Sequence, residues 1–103
     1  MRYSKYRAVP TFVDGIRFAS KKEAKRYQEL KLLEKAGEIS DLSLQHSFLL
    51  SVGDTIIGKY VADFVYKENG KSIIEDTKGV RTPVYKWKKK HFEAQMGIKI
   101  KET

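Results

Sequence analysis

Apolar and polar positions alternate in two rhythms along this chain, and the switches between them mark out its elements. Thr11-Phe12-Val13 and Ile16-Arg17-Phe18 flank Asp14-Gly15, a pair that accepts the positive φ angles of a tight turn, so a short hairpin is predicted. Ser20 stands three residues ahead of Glu23 in the manner of a capping box, and strong helix formers continue to Ala36 before Gly37. The first helix therefore covers about Ser20 to Ala36. Tyr27, Leu30 and Leu33 recur at spacings of three and form an inward stripe, and Glu23 lies one turn earlier on it. Gln45 to Leu50, Thr55 to Tyr66 and Lys71 to Lys78 read as an antiparallel meander, with turns at Ser51 to Asp54 and Glu68 to Gly70. Thr82 and Pro83 open a second helix over 83–96, with Val84, Trp87, His91 and Ala94 at helical spacing and Gly97 as its stop. Ile98 to Lys101 alternates once more and is expected to add a strand at an edge of the sheet.

The pattern predicts an α/β fold with a central sheet and the order hairpin-α-β-β-β-α-β. At 103 residues one core suffices. Residues 1–10 read as a basic N-terminal arm, with a frayed terminus as the equal alternative, and 11–103 as a single domain. No apolar run has the length of a membrane span or a signal segment, so a cytoplasmic protein with no membrane partner is expected.

Composition narrows the chemistry. The chain has no cysteine and two isolated histidines, His46 and His91, which excludes disulfides and leaves any metal to oxygen ligands. Lys and Arg outnumber Asp and Glu by 21 to 13, a net charge of +8 that attracts polyanions. Nucleic acid is the leading partner, and lysines that serve only solubility are the alternative.

Asp63 interrupts the apolar run Tyr60 to Tyr66, where an ionised carboxylate is costly without compensation. Twelve residues on, Glu75-Asp76-Thr77-Lys78 ends the next strand, and alternation sends Asp76 and Lys78 to one face and Glu75 and Thr77 to the other. Pairing through the Glu68 to Gly70 turn brings Asp63 near Asp76, a site for a hard divalent cation with Lys78 beside it. Such a trio suits phosphodiester hydrolysis. An Asp–Lys ion pair, or charges at the sheet rim, is the structural alternative.

These residues carry a resemblance. Val61-Ala62-Asp63-Phe64 with Glu75-Asp76-Thr77-Lys78-Gly79 resembles the PD-(D/E)xK signature of restriction-endonuclease-like nucleases, with Ala62 where the motif's proline would stand. Phe18 to Glu23, Gly37-Glu38-Ile39, Gln45 and Thr82 to Lys90 are further similar to a small phage-encoded family placed in that superfamily. The resemblance implies a restriction-endonuclease-like core with a mixed sheet. It implies Asp63 and Asp76 as ligands of Mg²⁺ or Mn²⁺, Lys78 as the catalytic lysine and Glu23 as an accessory carboxylate. Glu23 is equally a capping-box partner of Ser20. Gln45, taken to open its strand, resembles a polar active-site residue of related resolvases, or hydrogen-bonds the backbone. Glu75 replaces Asp76 if the register slips by one.

The implied activity is a metal-dependent DNA endonuclease acting on branched, Holliday-junction-like or phage replication and recombination intermediates in the cytoplasm of a bacterial host. It would work as a homodimer or within a larger phage complex. A catalytically silent DNA-binding or assembly module is the other reading. Arg81, Tyr85, Lys86, Lys88, Lys89 and Lys90 adjoin the catalytic strand as the expected DNA-binding surface, without a motif for base readout. Tyr85 and Trp87 could stack on bases, but the helical spacing of Trp87 with Val84 and His91 favours the core for it, and His91 is expected as a packed residue rather than a base.

Overall fold

The computed structural model describes residues 10–77 and 81–103. The chain runs β1 (Thr11–Val13), β2 (Ile16–Phe18), α1 (Lys21–Lys35), β3 (Ser40–Val52), β4 (Thr55–Glu68), β5 (Lys71–Asp76), α2 (Pro83–Met96) and β6 (Ile100–Glu102). This is the order that the pattern predicts. Asp14 and Gly15 adopt φ angles of 52° and 75° in the β1–β2 turn. Residues 1–9 of the expected arm, and Lys78 and Gly79 of the motif, lie outside the described residues.

β3, β4, β5 and β6 form a four-stranded sheet in that order. β3–β4 and β4–β5 pair antiparallel, whereas β6 joins β5 in parallel, which makes the sheet mixed. The fold is thus mixed α/β, and the last strand does take an edge.

Alternation along β5 divides the core. Ile73 packs with Phe18, Ala24, Tyr27 and Leu30 under α1, while Ile74 packs with Tyr85 and Phe92 of α2. The helices therefore cover opposite faces. β4 does not keep one parity throughout: Tyr60 and Ala62 belong to the α2 cluster, yet Phe64 and Tyr66 belong to the α1 cluster. β3 changes sides in step, with Leu44 under α1 and Phe48 under α2. Both switches fall at the rung that Gln45 and Asp63 would share, between Leu44↔Phe64 and His46↔Ala62.

Several boundaries differ from expectation. β3 starts at Ser40 rather than at Gln45, because the polar segment Ser40 to Leu44 still pairs with Val65 and Lys67 across a bulge. Gln45 therefore lies inside the strand. β6 covers Ile100–Glu102 instead of Ile98 to Lys101. The inward face of α2 is also rotated: Tyr85 and Phe92 are buried, whereas Val84 and Trp87 are exposed. Trp87, expected in the core by helical spacing, is a surface residue, and Tyr85, included in the expected DNA-binding surface, is a core residue.

Candidate functional site

Glu23 sits on the first turn of α1 and is pulled inward by its place on the Tyr27–Leu30 stripe. Ser20 Oγ accepts the Glu23 backbone N–H at 3.1 Å, and Glu23 Oε2 accepts from the Ala19 N–H at 3.3 Å. The capping function is real, yet it uses only one carboxylate oxygen. Glu23 Oε1 accepts from Gln45 Nε2 at 3.1 Å, and the same amide nitrogen donates to Asp63 Oδ1 at 3.2 Å. Two acids from different elements thus converge on one amide. They border a cleft of about 290 Å³ floored by Phe18 and Leu44.

Gln45 reaches this position through a left-handed backbone, φ 50°. Such a conformation costs a residue with a side chain roughly 1–3 kcal/mol and persists only where the surroundings impose it. Here it coincides with the face switch of β3 and turns the amide toward Glu23 and Asp63.

The other oxygen of Asp63, Oδ2, accepts from the Thr77 backbone N–H at 2.9 Å, just past the end of β5. Phe64 pairs with Glu75, so the same register sets Asp63 across from Asp76. Asp76 is fully buried and accepts a hydrogen bond from the Tyr60 hydroxyl. Burial, that bond and the charges of Asp76 and Asp63 raise the Tyr60 pKa well above the ordinary phenol range. Tyr60 has no place in the sequence motif, since only the face switch aims it at Asp76.

Glu75, the reserve ligand, is engaged elsewhere. It is fully buried and takes Arg26 Nε at 2.6 Å, Arg26 Nη2 at 2.9 Å, the Tyr66 hydroxyl at 2.7 Å and Thr103 Oγ1 at 3.2 Å. Burial pushes its pKa up, but the bonds from Arg26 and Tyr66 outweigh burial and hold it below the ordinary carboxylate value. Its two oxygens are saturated by protein donors, so Glu75 is a structural acid. Nothing in the sequence pattern marks Arg26 as its partner.

On α2, the expected basic surface is only partly available. Arg81 forms a forked pair with Glu102, with Nε 3.1 Å from Oε2 and Nη2 3.0 Å from Oε1. Lys89 pairs with Glu93 at 3.1 Å, and the Tyr85 hydroxyl donates to Glu102 at 2.7 Å. Lys88 is half-buried, whereas Lys86 and Lys90 are exposed. His91 Nε2 lies 2.9 Å from the Ser51 carbonyl, the packed role expected of it.

Among the described residues, no three His, Asp or Glu side chains form a ready metal cage. The donor chemistry nevertheless fits a hard cation. Glu23 and Asp63 flank one amide N–H group, a position that a divalent ion satisfies more strongly, and the rotated Gln45 amide would offer its oxygen to that ion.

The family model described as "Protein of unknown function (DUF1064)" matches residues 3–102. No curated protein matches the chain, and no solved structure does. With nearly the whole length matched, the chain belongs to the DUF1064 family.

Proposed function

We propose that this protein is a divalent-metal-dependent DNA endonuclease with a restriction-endonuclease-like core, hydrolysing phosphodiester bonds in branched or recombining DNA. The carrying observation is the meeting of Glu23, Gln45 and Asp63 where β3 and β4 change faces, with Asp76 across the same rung. Acidic side chains are gathered there in a chain of net charge +8. Asp63 and Asp76 would hold Mg²⁺ or Mn²⁺, with Glu23 as the accessory ligand. The bound ion would polarise the phosphoryl group and activate a water. Gln45 positions the Glu23 and Asp63 carboxylates, Tyr60 orients Asp76, and Lys78, by its resemblance to the motif lysine, stabilises developing charge.

One observation favours the second reading, a catalytically silent DNA-binding module: each acid of the cluster already has protein donors. Incubation of labelled linear, forked and four-way-junction DNAs with Mg²⁺, Mn²⁺ or EDTA separates the two. Metal-dependent cutting is expected, with loss of at least about 100-fold in Asp63→Asn, Asp76→Asn and Lys78→Ala, the scale of removing one electrostatic catalyst. Folded variants should still bind DNA. Equal binding in EDTA and magnesium without cutting by the wild type would establish the silent module.

A further inference from the structure

Trp87 is the chain's single tryptophan and stands 47% exposed on α2. A large aromatic ring left in solvent on a helix is a costly choice when the same helix buries Tyr85 and Phe92. The ring is not loose. It stacks on His91, with centroids 5.8 Å apart and planes 30° apart, and His91 is itself anchored to the Ser51 carbonyl at 2.9 Å. Trp87 also borders a cavity of about 490 Å³, within the roughly 300–1,000 Å³ range of small-ligand clefts.

The cations around this cavity differ in availability. Arg81 is committed to Glu102 and Lys89 to Glu93, while Lys86 and Lys90 are exposed and pair with neither acid. Both line the cavity together with Trp87, so a planar surface stands beside two exposed ammonium groups. That combination fits a nucleotide: a base for the ring and backbone phosphates for the lysines. Interior bases of an intact duplex are already stacked on both faces, so an unpaired base is the occupant that fits the ring along a strand.

From this arrangement we infer that the Trp87 surface is a stacking site for an unpaired base, by which the protein engages single-stranded segments of DNA at branches and ends. The inference rests on the DNA-binding part of the proposed function but not on catalysis. Sequence preference at this site is weak, because every base has a face to stack and no group here reads base edges.

The single tryptophan makes the test direct. Binding of fluorescein-labelled oligo-dT, a forked DNA and a blunt duplex would be followed in EDTA by anisotropy, with intrinsic emission recorded on unlabelled copies. Oligo-dT and the fork should quench the tryptophan, and the duplex should bind without doing so. Trp87→Ala should weaken oligo-dT binding roughly 5- to 150-fold, the range for losing one base–aromatic stack, while Trp87→Phe retains most of it. Duplex affinity should hardly change in either variant. Binding of oligo-dT with unaltered emission, or unchanged affinity in Trp87→Ala, would overturn the site even if metal-dependent cleavage is present. Quenching without cleavage would keep the site and remove the nuclease. Absence of binding to any of the three DNAs would remove both.

Discussion

Glu75 and Asp76 are consecutive, both fully buried, and serve different ends because a strand sends neighbours to opposite faces. Glu75 meets the α1 side and Arg26, and its folded pKa lies below the ordinary carboxylate value. On acidification the unfolded chain therefore takes up the proton first. The stabilising contribution of Glu75 is present above the unfolded value of about 4.3 and is lost as pH falls through its lower folded value. Glu75→Gln should flatten the acid limb of a stability-versus-pH curve measured by urea unfolding. Arg26→Ala should cost more at neutral pH, about 3–5 kcal/mol, since it strands a buried carboxylate. A loss under about 1 kcal/mol would mean that Tyr66 and Thr103 suffice to hold Glu75. The sequence could nominate Asp63, Asp76 and Glu23, because an acid amid apolar neighbours or on an inward stripe is visible as an anomaly. It could not assign Arg26 to Glu75 or Tyr60 to Asp76, contacts made across 49 and 16 residues by side-chain reach.

At the scale of elements, hairpin, helix caps and sheet order were legible, since turn and cap chemistry is local: Asp14-Gly15, Ser20 and Thr82 all act as predicted. The face switch was not legible. It falls where Gln45 takes a left-handed backbone opposite Asp63, and a strict two-residue period cannot anticipate it. The α2 stripe failed for a related reason, because Val84 and Trp87 satisfy helical spacing as well as Tyr85 and Phe92 do. What decides is the partner surface. α2 also protects the open side of β3: Gln95 Oε1 accepts from the Ser51 N–H at 2.9 Å, and Gln95 Nε2 donates to the Leu49 carbonyl at 3.0 Å. Unpaired backbone on an edge strand invites pairing with another chain, and these side chains blunt it. Gln95→Ala should cost about 1 kcal/mol and speed amide exchange at Ser51. Exchange at an unchanged rate would mean that the remaining contacts of the β3 tip with α2 keep that edge closed.

Charge is partitioned across the whole molecule. Residues 36–58 contain none of the chain's 21 Lys and Arg, yet include Glu38, Asp41 and Asp54. The same stretch exposes Leu49, Val52, Ile56 and Ile57 around the β3–β4 turn. The β3–β4 tip thus presents apolar surface with Asp54 and no Lys or Arg, whereas Lys86 and Lys90 are exposed on α2. Removing both lysines should lower the slope of log affinity against log salt by about 2, close to 0.9 per phosphate contact. The homodimer expected from the sequence, one protomer for each strand cut, would find an apolar joining face at this tip. A closed dimer joined there would bury the four aliphatic side chains together and keep both basic surfaces free for one DNA. Leu49→Glu with Ile56→Glu adds charge at exposed positions and should leave the fold intact while shifting sedimentation from dimer to monomer. Junction cutting should then fall to unpaired single nicks. A wild-type protein that sediments as a monomer at every concentration, with and without junction DNA, would remove the dimer and leave each nick to an independent encounter.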